Sequence, residues 1–166
     1  MHQHSRHETI IILDFGSQYT QLIARRVREA GVYSEIVPFS LSLEEIRARQ
    51  PRGVILSGGP SSVYDQTAPR PAASLLQSLE CPVLGICYGL QLFAHEFGGE
   101  VQPSSSREFG YARLKILDHS SPLFEGLPNE MDVWMSHGDQ VTTAPPGFRV
   151  TAKTDDALNA FEDPDR

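Results

Sequence analysis

Features that define several other protein classes are scarce or missing in this sequence. There are two cysteines in 166 residues, Cys81 and Cys87, and no apolar run is long enough for a secretory signal or a membrane-spanning helix. Few cysteines and no export signal indicate a reducing compartment. We therefore expect a cytoplasmic protein with no membrane partner and with Cys81 in a structural role.

Positive charge is also scarce. The formal net charge is −7, and the basic residues form no stripe along the chain. We expect no nucleic-acid partner, because nothing in such a chain would neutralise a row of phosphates. The glycine-rich phosphate-binding motifs are missing as well, so no nucleotide cofactor is expected in this domain.

What the chain does contain, in its first half, is an alternation of strand and helix patterns. Residues 9–14 form a β-branched run typical of a strand buried on both faces of a parallel sheet. Ser17 is placed to cap the next helix. The apolar positions of that helix recur at helical spacing: Leu22, Ile23, Val27 and Ala30. Further predicted strands are 32–37, 53–57 and 82–86, and further predicted helices are 43–48 and 71–79.

This alternation predicts an α/β fold, a three-layer sandwich with a mostly parallel central sheet. After Gly99 the pattern changes to strands and turns, which predicts an antiparallel extension in the second half. The predicted strands there are 100–117, 131–136, 149–154 and 157–161. Residues 1–8 hold three of the six histidines, but they predict a disordered tail, and we expect no metal site.

The most informative segment is Gly-Ile-Cys-Tyr-Gly at 85–89, which follows the last predicted parallel strand and precedes a helical pattern. This spacing predicts a nucleophile elbow with Cys87 in place of the usual serine. Glycines flank such a turn because its backbone is strained and the neighbouring chain lies close. At a helix N-terminus the dipole favours the thiolate, which makes Cys87 the candidate nucleophile.

A second loop, Ser57-Gly58-Gly59-Pro60, ends the preceding strand and should lie at the same edge of the sheet. Its glycines leave the backbone amides accessible. Because this loop and the elbow should lie at the same edge, we expect the N–H groups of Gly59 and Tyr88 to form an oxyanion hole for acyl transfer.

At this point the residues resemble a known family. The segment Gly-Ile-Cys-Tyr-Gly-Leu-Gln-Leu at 85–92 is similar to the active-site segment of class I glutamine amidotransferases. Residues 13–26, 57–64 and 134–139 are similar to the corresponding segments of the glutaminase domains of GMP synthases. The resemblance spans 9–166 and implies the flavodoxin-like fold of that family.

The resemblance also implies site roles. Cys87 attacks the side-chain amide of L-glutamine to form a γ-glutamyl thioester, and Gly59 and Tyr88 stabilise the oxyanion. Residues expected to hold the substrate are Gln91, Ser136, His137, Gly138 and Asp139. The ammonia passes to an ATP-pyrophosphatase (synthetase) domain or subunit, which uses ATP and Mg²⁺ to aminate XMP to GMP in an enzyme expected to be a homodimer.

The sequence departs from the family at the general base. The family has a His-Pro-Glu segment late in the domain, and these 166 residues contain none. We expect surface or packing roles for His95 and His119. The chain is therefore interpreted as an amidotransferase domain that stops before its triad is complete.

Three alternatives stay open. In the first, the chain is the glutaminase of another class I amidotransferase. In the second, it is a cysteine-elbow hydrolase such as a γ-glutamyl peptidase, and in the third it is a triad-deficient regulatory subunit of a synthetase. The first two share the elbow, and a peptidase has no need of a site for the free amino acid.

Because Cys87 lacks its proton acceptor in this sequence, we expect the 166-residue chain to hydrolyse glutamine slowly or not at all. Release of ammonia from L-glutamine measures this directly. Rapid turnover by the chain ending at Arg166 would contradict the interpretation.

Overall fold

The computed structural model describes residues 8–155 and 157–165, except the side chains of 104–109, 136 and 137. Most of the predicted disordered tail, residues 1–7, lies outside the described residues. The elements of the first half are β1 (Thr9–Asp14), α1 (Thr20–Glu29), β2 (Tyr33–Pro38), α2 (Leu43–Ala48), β3 (Gly53–Leu56), α3 (Leu75–Ser78) and β4 (Val83–Gly85). They are followed by α4 (Tyr88–Glu96), β5 (Glu100–Ile116), β6 (Glu130–Thr143), β7 (Arg149–Lys153) and β8 (Leu158–Glu162).

The chain divides into two compact units, one ending at Leu90 and the other beginning at Gln91. The first unit contains a parallel sheet with the strand order β2-β1-β3-β4. In register, Ile12 of β1 lies beside Ile36 of β2 and Ile55 of β3. The α/β class and the parallel sheet predicted from the sequence are thus confirmed.

Strand β1 provides the core of this sheet. Ile11, Ile12 and Leu13 are all fully buried. Because successive side chains of a strand point to opposite faces, three consecutive buried residues require cover on both faces of the sheet. The prediction from the β-branched run is confirmed.

Helix α1 differs from its prediction. Its buried residues are Thr20 and Ala24, while Leu22 is 45% exposed. Ser17 does not cap the helix either: Tyr19 occupies the N-cap position, and Ser17 Oγ accepts from the Tyr19 amide at 3.0 Å. The helix begins at Thr20, whose hydroxyl donates to Asp14. Of the predicted apolar positions, Ile23 and Val27 are half-buried, whereas Leu22 and Ala30 are exposed.

The short helices show how local chemistry sets their limits. Helix α2 has the predicted bounds because Ser42 and Glu45 form a capping box at its N-terminus. Helix α3 is shorter than its predicted 71–79. Ser74 precedes it with φ of 62°, a left-handed conformation that cannot continue a right-handed helix.

The second unit contains the end of α4 and a separate antiparallel sheet, in which β5, β6, β8 and β7 pair in that order and β5 also pairs with β7. The predicted antiparallel strands are confirmed, but they form their own sheet rather than an edge of the first. Long pairing of β5 with β6, from Lys115 beside Glu130 to Glu100 beside Thr143, satisfies their backbone groups locally.

Aromatic side chains pack within this unit. Phe93 and Phe97 of α4 stack at 4.5 Å, and Phe148 contacts both rings and that of Phe161. In the described part of the chain, no helix combines the length and apolar character needed to cross a bilayer.

The burial of β1 gives a stability prediction. Ile12→Ala is expected to lower the free energy of unfolding by about 4 kcal/mol, because a fully buried side chain leaves a cavity when truncated. The matched control Leu22→Ala removes a largely exposed side chain and is expected to cost less than about 1 kcal/mol. Urea denaturation followed by circular dichroism measures both; similar losses would contradict the assignment of the core.

Candidate active site: a cysteine at a strand–helix turn

Cys87 lies between the end of β4 at Gly85 and the start of α4 at Tyr88. Its φ is +51°, a left-handed backbone conformation that is rare for a residue with a Cβ atom. Strain of this kind persists only where the surrounding structure enforces it, and it concentrates at functional sites. The strained turn predicted from the glycine spacing is therefore present.

The two flanking glycines are required by close backbone contacts. A Cβ atom on Gly85 would lie 2.6 Å from the carbonyl oxygen of Gly89. A Cβ atom on Gly89 would lie 2.5 Å from the carbonyl oxygen of Leu56. Both distances are far below contact distance, so any side chain at either position would force the turn apart.

Hydrogen bonds fasten this turn to the end of β3. The Ile86 amide donates to the Leu56 carbonyl at 3.0 Å, and the Gly89 amide donates to the Ser57 carbonyl at 3.2 Å. A Cβ atom on Gly58 would lie 3.4 Å from Cβ of Cys87. The structure thus brings the Gly-Gly-Pro loop directly beside the candidate nucleophile, as the sequence predicts.

Gly59 follows in the same loop. A Cβ atom there would lie 2.6 Å from the Phe15 carbonyl oxygen, so only glycine fits. No described residue accepts a hydrogen bond from the Gly59 amide. This is the arrangement expected of an oxyanion donor, although the role of Gly59 stays a prediction.

The side chain of Tyr88 is used in packing. It is buried, its hydroxyl donates to the Pro69 carbonyl at 2.7 Å, and its ring lies 5.5 Å from that of Phe15. Its backbone, at the first position of α4, is the part that adjoins Cys87. The predicted contribution of Tyr88 through its amide is consistent with this placement.

Cys87 is classed as exposed and Cys81 as partly exposed, and both are free thiols. The protein atoms around Cys87 nevertheless displace enough water to raise the pKa of its thiol. Burial raises the pKa of the Cys81 thiol in the same way. This direction is opposite to the shift expected from a helix N-terminus, and the thiolate character of Cys87 stays a prediction.

Predicted substrate residues of the second unit contact one another. Gln91 is buried, and its side-chain amide donates to the Asp139 backbone carbonyl at 2.9 Å. The side-chain oxygens Asp139 Oδ2 and Gln140 Oε1 are buried, and no donor to them exists in the part of the chain that the structure describes. Buried acceptors of this kind usually receive a hydrogen bond from the protein, from ordered water or from a bound molecule.

The other predicted substrate residues lie on β6. Ser136 pairs with Phe109 and His137 with Glu108, while the side chains of Ser136 and His137 lie outside the described residues. Gly138 is exposed, with open space where a Cβ atom would be. The substrate roles of these three residues stay predictions.

Two further histidines have described side chains. His95 lies in the last turn of α4, and His119 Nε2 is 2.9 Å from Asn129 Oδ1. Within the described residues, no group of three or more His, Cys, Asp and Glu side chains is placed to hold a metal ion.

Sequence reasoning missed two residues that lie beside predicted site residues. Ser57 of the first unit is fully buried and bonds to four backbone groups, those of Leu13, Phe15, Gly58 and Gly89. Gln140 of the second unit has one of the unpaired side-chain oxygens. The only signal for either was its position next to a predicted site residue, Gly58 of the loop and Asp139 of the substrate segment.

Comparison with known proteins identifies the family. The sequence profile described as "Glutamine amidotransferase class-I" matches residues 11–165. This chain belongs to the class-I glutamine amidotransferase family. Within the family, it is 57% identical over 150 residues to the GMP synthase [glutamine-hydrolyzing] of Chlorobium phaeovibrioides, covering 89% of this chain and 29% of the relative.

Other relatives carry the same name. Identity is 58% over 153 residues to the protein of Chlorobaculum tepidum, covering 90% of this chain and 29% of the relative. Identity to the protein of Parafrankia sp. is 53% over 164 residues, covering 98% of this chain and 30% of the relative. This amidotransferase chain thus spans about 30% of the length of the curated relatives that it matches.

Solved structures of similar proteins agree with the fold. A protein from Thermoplasma acidophilum, described as a GMP synthase subunit, superposes with a TM-score of 0.82 at 29% identity, covering 99% of this chain and 81% of that chain. A glutamine amidotransferase from Thermotoga maritima superposes with a TM-score of 0.70 at 20% identity, covering 94% of this chain and 71% of that chain. The second likeness supports the fold alone.

The raised pKa gives a pH prediction for this amidotransferase chain. Below its pKa a thiol is mostly protonated and unreactive, so alkylation of Cys87 should rise about tenfold per pH unit and continue to rise above pH 9. Iodoacetamide kinetics on the Cys81→Ala variant measure this at Cys87 alone. The same variant unfolded in urea is the control. The prediction would be contradicted if the pH at which alkylation is half-maximal were lower in the folded chain than in the unfolded chain.

Proposed function

We propose that this chain is the glutaminase part of a glutamine-hydrolysing GMP synthase. The observation that carries the proposal is the left-handed backbone of Cys87, held between close-packed glycines beside the Gly58–Gly59 loop. Strain of this kind is hard to account for unless a reactive group must be presented at the turn. Family membership and relatives named GMP synthase supply the substrate and the product.

The proposed reaction is acyl transfer to sulfur. Sγ of Cys87 attacks the side-chain amide carbon of L-glutamine, and the negative charge that develops on the amide oxygen is held by the N–H groups of Gly59 and Tyr88. The C–N bond then breaks, and the thiol proton leaves with the nitrogen as ammonia. Water hydrolyses the γ-glutamyl thioester to glutamate and restores the thiol.

The segment 136–139 is proposed, by resemblance, to bind the α-amino and α-carboxylate groups of glutamine. Asp139 Oδ2 is a buried acceptor without a described donor, and an ammonium group would supply the missing hydrogen bond. Gln91 is proposed to act indirectly, because its amide is bonded to the Asp139 carbonyl. Ser136, His137 and Gly138 are assigned to the same function by resemblance.

The fate of the ammonia is proposed from the relatives. A synthetase domain or subunit, with ATP and Mg²⁺ bound there and not in this chain, would aminate XMP to GMP. The relatives' extra length fits a fused domain, whereas the Thermoplasma protein, described as one subunit of a synthase, fits a separate one. We propose that this complete enzyme is a cytoplasmic homodimer.

A non-hydrolysing glutamine-binding module is the second candidate. It is consistent with the raised pKa of Cys87, because a higher pKa lowers the fraction of thiolate available for attack. A γ-glutamyl adduct on Cys87, detected by mass spectrometry after prolonged incubation with L-glutamine, distinguishes the enzyme from the module.

The proposed substrate gives a protection experiment. L-glutamine is expected to slow alkylation of Cys87 by iodoacetamide by about tenfold at saturation, because the bound amide covers the sulfur, while Cys81 in the same sample is unaffected. D-glutamine and a γ-glutamyl dipeptide are the controls. Peptide mapping by mass spectrometry gives both rates from one sample.

Protection by the dipeptide and not by L-glutamine would favour a γ-glutamyl peptidase instead. Equal alkylation of Cys87 with and without L-glutamine would contradict glutamine binding at this cysteine.

A further inference from the structure

Ser57 links three backbone segments around the candidate nucleophile. Its side chain is fully buried. Its Oγ accepts from the Phe15 amide at 2.9 Å and donates to the Gly58 carbonyl at 2.9 Å. Its own carbonyl accepts from the Gly89 amide at 3.2 Å, at the start of α4. The function proposed above assigns no role to this hydroxyl.

The bond to the Gly58 carbonyl also controls the next amide. The Gly58 C=O and the Gly59 N–H belong to one peptide unit, and no cis peptide occurs in the described residues. In a trans peptide these two groups point in opposite directions. Fixing the carbonyl oxygen therefore fixes the direction of the Gly59 N–H.

This peptide needs an external restraint. It joins two glycines, whose backbone torsions are the least restricted of any residue, so its plane rotates with little steric resistance. A side chain at Gly59 cannot supply stiffness, because a Cβ atom would lie 2.6 Å from the Phe15 carbonyl oxygen. A reversed peptide would present a carbonyl oxygen where an N–H donor is needed and would repel an oxyanion.

The Ser57 hydroxyl suits this restraint. A hydroxyl has one proton and two lone pairs. The Phe15 amide occupies a lone pair, which leaves the proton for the Gly58 carbonyl and aligns the group. Since Phe15 follows β1 and Ser57 follows β3, two rigid neighbouring strands define the orientation.

We propose that Ser57 is a positioning residue for the oxyanion hole: its hydroxyl holds the Gly58–Gly59 peptide with the Gly59 N–H available to the substrate's carbonyl oxygen. Ser57 touches no reacting atom and acts through the Gly59 amide. The inference rests on the proposed function, because it presumes that Gly59 stabilises an oxyanion at Cys87.

Two reagents separate positioning from stability. The chloroketone analogue of L-glutamine has a carbonyl in place of the amide, and Cys87 displaces its chloride to form a C–S bond, with the thiol proton released to solvent. The developing charge on that carbonyl needs the oxyanion donor. Iodoacetamide reports the exposure and ionisation of the thiol without needing the glutamine site. The readout is the rate constant of the chloroketone at Cys87 divided by the rate constant of iodoacetamide at the same residue.

Ser57→Ala is expected to lower this ratio by at least about tenfold, a part of the loss of about 100-fold or more that follows complete removal of an oxyanion donor. The matched control is Ser34→Ala. Ser34 is also buried and also donates to a backbone carbonyl, that of Ala24 at 3.0 Å, but it lies on β2. Ser34→Ala is expected to lower the midpoint of thermal unfolding by a similar amount and to leave the ratio of the two rate constants unchanged.

Ser57→Thr keeps the hydroxyl and is expected to restore most of the ratio. An unchanged ratio in folded Ser57→Ala, or equal loss in Ser34→Ala, would overturn the positioning role. If the wild-type chain itself shows no saturable reaction with the chloroketone, the proposed function fails, whereas normal wild-type reaction retained in Ser57→Ala rejects the Ser57 proposal alone.

Discussion

The first unit depends on one constraint, the fastening of the Cys87 turn to the end of β3. Two amides of the turn, those of Ile86 and Gly89, donate to the consecutive carbonyls of Leu56 and Ser57. These bonds draw the chain so close that Gly85 and Gly89 have no room for a Cβ atom. Cys87 lies between these two bonded residues in a left-handed conformation, and the residue is exposed.

Much of the fold could be predicted because its signals are local. The β-branched run at 9–14 is typical of a strand buried on both faces, and the predicted bounds of α2 agree with the capping box that Ser42 and Glu45 form in the structure. Predictions were wrong where tertiary packing decided. Leu22 is among the predicted apolar positions of α1 but is exposed, whereas the polar Thr20 is buried and its hydroxyl donates to Asp14.

At the candidate site, the sequence identified the groups that react but not those that hold them. The glycine spacing around Cys87 is a signal of backbone crowding and is readable without a structure. The contacts of Ser57 join Phe15 to Gly58, and those of Gln91 reach Asp139. Such partners are distant in sequence and leave no periodic pattern. The position of Cys87 before a helix is also readable from the sequence, whereas the desolvation that raises the pKa of its thiol depends on packing in three dimensions.

The unpaired oxygen Oδ2 of Asp139 has a consequence for ligand discrimination. A buried acceptor without a donor is unfavourable, and a ligand that supplies the donor recovers this energy, while one of the same shape without it does not. Under the proposed function, affinity would therefore be governed more by the ammonium group common to all amino acids than by the length of the side chain. Competitive inhibitors built on this scaffold would need to retain that cationic nitrogen.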